Sequence, residues 1–120
     1  MGKYALLIGV SNYTAGLNNL PSAVRDVDAL WQVLVNPEIG GFAESDVEVL
    51  KDADEKPMRE AIHRLFTEKK RDDLLLLYFS GHGITDNYNN FYLTGTATRD
   101  EASEPTAVPA EYLHNLMGRS

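Results

Sequence analysis

Two unbroken apolar runs of strand length punctuate the chain: Tyr4 to Val10, YALLIGV, and Leu74 to Phe79, LLLLYF, the second preceded by Asp72 and Asp73. Neither alternates with polar residues, and a short apolar run bounded by turn residues is how a strand covered on both faces reads. The second run therefore predicts a central parallel strand. Between them, Ser45 to Leu50, SDVEVL, alternates polar with apolar and predicts a strand nearer the sheet edge. Two further stretches carry helical spacing. Leu20-Pro21-Ser22 opens the first, with Ala23, Val27, Leu30, Trp31 and Leu34 following on one face until Asn36-Pro37 ends it. Asp54 is placed to cap the second, where Met58, Ala61, Ile62, Leu65 and Phe66 fall at i, i+3, i+4, i+7 and i+8.

The order strand, helix, strand, helix, strand, with connections long enough for parallel pairing, predicts an α/β fold: a doubly wound, mostly parallel sheet with flanking helices. After Gly83 the pattern weakens. Ile84 to Asn90 reads as a polar loop, Phe91-Tyr92-Leu93 as a short strand or hairpin arm, and Thr94 to Thr106 as an acidic, turn-rich and mobile stretch. Val108-Pro109 then starts a last helix containing Tyr112, Leu113, Leu116 and Met117. A helix packed on such a sheet normally delivers the chain into another strand. Residues 1–120 are thus expected to be the amino-terminal portion of one domain that continues.

Composition narrows the function. With 43% hydrophobic and 24% charged residues the chain has the make-up of a globular domain, and no apolar run approaches the roughly 18 residues of a membrane span. The run Tyr4 to Val10 gives way to Ser-Asn-Tyr and fits a strand better than a secretory signal, so a cytoplasmic location is expected. A net charge of −7 disfavours nucleic-acid or anionic-membrane binding and favours basic partners. The chain has no cysteine, which excludes disulfides and thiolate metal sites within it. It also lacks Gly-x-Gly-x-x-Gly, a Gly-Lys-Ser/Thr loop and an acidic pair after the first strand, so a nucleotide-binding or receiver domain fits badly.

The candidate chemistry gathers at Ser80-Gly81-His82-Gly83, directly after the Leu74–Phe79 run. In open α/β sheets, ligands and chemistry sit beyond the carboxyl ends of the strands. A histidine in a glycine-rich turn is by default only a polar loop residue, but here Gly81 and Gly83 remove the side chains on both sides and allow close approach of a substrate. The N–H of Gly83 is placed to donate to a developing oxyanion beside an imidazole suited to proton transfer near neutral pH. Ser80, two residues from His82, is a poor nucleophile candidate, because it sits at the end of the strand, where adjacent alternating side chains diverge. Asp26 falls on the flank of the first helix stripe, where the default reading is a solvated first-turn acid favoured by the helix dipole. His63 and His114 lie off their helix stripes and read as solvated, the three histidines make no metal-ligand spacing, and Trp31 reads as core.

Taken together, Tyr4-Ala5-Leu6-Leu7-Ile8-Gly9-Val10-Ser11-Asn12-Tyr13, Leu20-Pro21-Ser22-Ala23-Val24-Arg25-Asp26 and Leu77-Tyr78-Phe79-Ser80-Gly81-His82-Gly83 resemble the amino-terminal half of the large subunit of caspase-like cysteine peptidases, in the metacaspase and orthocaspase branch. The resemblance implies a caspase-like sheet in which His82 is the general base and acid and Gly83 an oxyanion donor. The nucleophilic cysteine ends the next strand in that family, so the carboxyl-terminal part of the same domain is the implied partner. It also implies that Asp26 lines the pocket for a basic P1 side chain, although this chain has Arg25-Asp26-Val27 where metacaspases carry Asn-Asp-Ala. Caspases proper hold an arginine just before this helix and select acidic P1; the comparable place here is Leu20. The implied activity is endopeptidase cleavage after Arg or Lys, absent from this chain alone, with a non-catalytic caspase-like interaction module as the alternative. No cofactor is expected. Calcium is the one possibility the resemblance raises, at Asp100, Glu101 and Glu104, whose spacing reads instead as a solvated loop.

Overall fold

A computed structural model describes residues 2–119. The chain runs through β1 (Lys3–Gly9), α1 (Ser22–Val35), β2 (Val47–Lys51), α2 (Glu55–Thr67), β3 (Leu74–Ser80), β4 (Gly83–Thr85), β5 (Phe91–Thr94), α3 (Ser103–Thr106), β6 (Ala107–Pro109) and α4 (Ala110–Arg119). The first three strands form a parallel sheet in the order β2-β1-β3, with Leu7 of β1 opposite Val49 on one side and Tyr78 on the other. The fold class expected from the pattern is the one observed.

The side-chain alternation of β1 divides the core in two. Ala5 and Leu7 point to one face, where they pack with Val27 and Leu34 of α1, with Phe42, and with Val47 of β2. Leu6, Ile8 and Val10 point to the other, against Met58, Ala61, Ile62 and Leu65 of α2 and Leu116 of α4. Leu7, Ile8, Met58 and Ile62 are fully enclosed, each contributing about 1.5–3 kcal/mol of burial. Trp31 is half-buried on the α1 side, as its place on the stripe predicts.

Five expectations are corrected. The central strand of the described sheet is β1, and β3 is at its edge: no residue of β3 is fully buried, and no described strand pairs with its outer side. An apolar run reports what the two faces are made for, and says nothing of which neighbours the strand has. Asp54 stands at the N-terminal cap position of α2 but its carboxylate does not cap the helix; Oδ1 accepts the Ala97 N–H at 3.3 Å instead.

Ile84–Asn90 is only partly a loop, since β4 pairs antiparallel with β5 and β5 with β6 in a second sheet. The turn between β4 and β5 is built on Asp86, whose carboxylate accepts the N–H groups of Tyr88 (2.8 Å) and Asn90 (3.0 Å), Asn90 Nδ2 (3.1 Å) and Tyr92 Oη (2.9 Å). Partial burial pushes Asp86 up, and these hydrogen bonds more than offset it, bringing its pKa down to about 2. Thr94–Thr106 carries more regular structure than a turn-rich loop, since it contains α3 and a hydrogen-bonded turn. The Thr98 hydroxyl, fully buried, accepts the Gly95 N–H and donates to the Thr106 carbonyl at 2.6 Å. Val108 sits before a proline, which disfavours the helical region, so it extends into β6 and α4 begins only at Ala110.

Candidate functional site

The carboxyl ends of β1, β2 and β3 share one rim, and three loops are tied together there. Asp52, one residue past β2, adopts φ 53°, a left-handed conformation that aspartate tolerates better than most residues. This turns its carboxylate onto the loop after β1: Oδ1 accepts the N–H of Ser11 (2.8 Å) and of Asn12 (3.0 Å), and Oδ2 accepts Asn12 Nδ2 (3.1 Å). Inside that loop, Ser11 Oγ accepts the Val24 N–H of α1, and Asn19 Oδ1 accepts the Tyr13 N–H at 2.7 Å. Thr14 reaches across to the turn after β5, donating from both its N–H and its hydroxyl to the Thr96 carbonyl. The first loop is consequently fixed from both sides.

His82 stands two residues beyond β3, half-buried against this loop. Its Nε2 lies 2.7 Å from the Asn18 carbonyl oxygen. A carbonyl only accepts, so Nε2 carries the proton, and in the neutral ring Nδ1 holds the lone pair. The imidazole also packs on Tyr13, with centroids 4.8 Å apart and planes tilted by 58°. The His82 N–H donates to Tyr13 Oη at 2.8 Å, and its carbonyl accepts the Thr94 hydroxyl at 2.8 Å. Gly81 is obligatory for this approach: a Cβ there would lie 2.8 Å from Tyr13 Oη and 2.8 Å from the Phe79 ring.

Gly83 begins β4. The bonds from Thr94 N to the His82 carbonyl and from Asp86 N to the Asn90 carbonyl fix the alternation of the hairpin. By that alternation His82, Ile84 and Asp86 direct their backbone groups at β5, and the Gly83 N–H faces away from it. The ring of Phe91 covers the space a side chain at Gly83 would need.

Asp26, on the exposed surface of α1, is joined to the same rim by the Ser80 hydroxyl, which donates to Oδ2 at 3.1 Å. Ser80 thus serves Asp26 and makes no hydrogen bond to His82. His63 and His114 are exposed on α2 and α4. Among the described residues no group of three His, Asp or Glu side chains is arranged to hold a metal ion. Asp100 and Glu101 are exposed beside a cleft of about 500 Å3 that Asp86 also lines, and the Asp86 oxygens accept the hydrogen bonds of its own turn. The side chain of Glu104 lies outside the described residues. A cleft of about 660 Å3 is lined by Phe66, Lys69, Lys70, Arg71 and Leu116, among others, and contains none of the rim residues.

Sequence reasoning singled out His82, Gly83 and Asp26, and it did not single out the Tyr13, Asn18, Asp52 and Thr94 groups that surround them. Asp52 left one usable sign: an acid just past a strand end, where this fold gathers its chemistry.

Comparison with known proteins adds the family context. The model of the Caspase domain family matches residues 2–116. Among curated proteins, Metacaspase-7 of Arabidopsis thaliana is 40% identical over 90 residues, covering 69% of this chain and 22% of that protein. Metacaspase-4 and Metacaspase-6 of the same plant are each 37% identical over 90 residues, covering 69% of this chain and 21% and 24% of theirs. The alignments thus span about a fifth to a quarter of the length of these relatives.

Proposed function

Since the chain belongs to the caspase-domain family of cysteine peptidases, we propose that it contributes the general base, an oxyanion donor and an acidic P1 pocket to an endopeptidase that cleaves after Arg or Lys. The observation that carries this reading is the hydrogen bond from His82 Nε2 to the Asn18 carbonyl, which leaves Nδ1 as the free basic nitrogen at the strand rim. The nucleophile is the remaining requirement. The chain contains no cysteine, so the thiol comes from the rest of the peptidase domain. The outer edge of β3, unpaired among the described residues, supports this, because a parallel strand added there would end beside Ser80 and His82.

In this reading Nδ1 takes the thiol proton and the thiolate attacks the scissile carbonyl. The Gly83 N–H donates to the oxyanion. As the C–N bond breaks, Nδ1–H protonates the departing amine, leaving a thioester. Water then gives a proton to Nδ1 while attacking that thioester; as the C–S bond breaks, Nδ1–H returns the proton to sulfur, and the acid product and the thiol are released. Nε2–H stays on the Asn18 carbonyl throughout, holding the ring. Asp26 meets the basic P1 group: Oδ2 is held by Ser80, and Oδ1 accepts no hydrogen bond from the described residues.

The test is to supply the remaining part of the domain and compare peptides with Arg, Lys, Asp or Glu at P1. Arg and Lys peptides are expected to turn over, with Asp26→Asn lowering their kcat/KM by about tenfold or more, roughly one charge-assisted contact. Preference for acidic P1 would refute the pocket assignment, and no turnover of any peptide would favour a non-catalytic interaction module.

A further inference from the structure

The peptide unit of His82 is closed inside a ring of hydrogen bonds. Its N–H donates to Tyr13 Oη, and the Thr94 hydroxyl donates to its carbonyl, both at 2.8 Å. The two hydroxyl oxygens are themselves 2.8 Å apart. Thr94 has one hydroxyl proton and the carbonyl receives it, so Tyr13 is the donor across that gap. The circuit therefore runs one way, from the His82 N–H through Tyr13 and Thr94 back to the His82 carbonyl.

Two features separate this ring from ordinary hairpin pairing. In an antiparallel ladder the His82 N–H would go to the Thr94 carbonyl, and here the Tyr13 hydroxyl takes it instead. Tyr13 and Thr94 are 7% and 0% exposed, so water competes weakly for their hydroxyls and loss of one member leaves the others unsatisfied. The same Tyr13 ring packs on the imidazole. Backbone and side chain of His82 are thus gripped by one residue from a loop 69 positions away.

We propose that Tyr13 and Thr94 are positioning residues that fix the aim and the tautomer of the His82 imidazole by holding its peptide unit, so that Nε2 stays on the Asn18 carbonyl. The role rests on the reading of His82 as the base. Movement of the peptide would shift the ring off Asn18 and let the proton exchange to Nδ1, the nitrogen that must be free.

Long-range 1H–15N spectra of the 120-residue chain read the tautomer directly. The native chain is expected to show His82 mainly as the Nε2–H form. Tyr13→Phe and Thr94→Val each lower the ratio of Nε2–H to Nδ1–H by about fivefold, the worth of one ordinary hydrogen bond. Thr94→Ser, which keeps the hydroxyl, holds the native ratio, and the Tyr13→Phe, Thr94→Val double variant falls no further than either single one. An even tautomer mixture in the native chain overturns the proposal. So does a lower melting temperature with an unchanged ratio, which assigns the ring to stability alone. Should Tyr13→Phe fail to fold, Thr94→Val against Thr94→Ser decides the matter. In the completed domain the same variants lower kcat at constant KM. A His82→Ala variant that keeps turnover would sink the peptidase reading without touching the tautomer result.

Discussion

Replacing Asp52 separates backbone strain from hydrogen bonding at the rim. The wild-type carboxylate accepts three hydrogen bonds at 2.8, 3.0 and 3.1 Å while its own backbone sits at φ 53°. Hydrogen bonds to a charged group contribute about 1.5–3 kcal/mol each when well enclosed, but Asp52 is only half-buried and water substitutes in part, so the set is worth about 2 kcal/mol. Alanine in the left-handed region adds about 1 kcal/mol more, and glycine adds none. Asp52→Ala should therefore cost about 3 kcal/mol, Asp52→Gly about 2 and Asp52→Asn about 1, since asparagine keeps one acceptor oxygen and tolerates the backbone. Urea unfolding at constant m-value measures these, with a shift of roughly 10–15 °C in Tm for the alanine variant. Amide exchange at Ser11 and Asn12 should quicken in the same order. If Asp52→Ala lies within about 0.5 kcal/mol of wild type and both amides keep their protection, the carboxylate does not hold the loop.

Three other perturbations check separate parts of the account. Ile62 is fully enclosed between α2 and the sheet, so Ile62→Ala should cost about 2–5 kcal/mol and Ile62→Val about 0.5–1.5, read by the same unfolding titration. Gly81→Ala meets Tyr13 Oη, which is held by hydrogen bonds, and should cost about 1–3 kcal/mol; Gly83→Ala meets only the Phe91 ring, 46% exposed and free to swing outward, and should cost less than about 1. Asp86 has a folded pKa depressed to about 2, so its contribution to the β4–β5 turn is complete above the ordinary carboxylate range near 4 and is lost as pH falls from there through 2. Amide shifts of Tyr88 and Asn90 should report that step, and Asp86→Asn should remove it.

The sequence pattern made legible those elements whose burial repeats along the chain. β1 announced itself by its run and α2 by its single stripe, and both lie in the enclosed core. β4 and β6, three residues each, are too short to show a period, and they exist because β5 pairs with them. His82 and Gly83 were legible because a glycine-flanked histidine at a strand end is a local signature. The grip on His82 was not: Tyr13 and Thr94 are 81 residues apart, and Ser11 and Asp52 are 41 apart. A hydrogen bond between distant segments leaves no mark on neighbouring residues, so only the folded chain displays it. The position of β3 at the edge escaped for a related reason, because strand order is a property of the sheet and not of the strand.

The central claim is that one imidazole at the rim moves the protons of peptide cleavage once a thiol is supplied beside it. Single-turnover cleavage of an Arg-P1 peptide by the completed domain, wild type against His82→Ala, tests it most directly. The expected result is a loss of about 10²–10⁴-fold in the rate of acyl transfer with peptide binding retained. An undiminished rate in the alanine variant would contradict the claim.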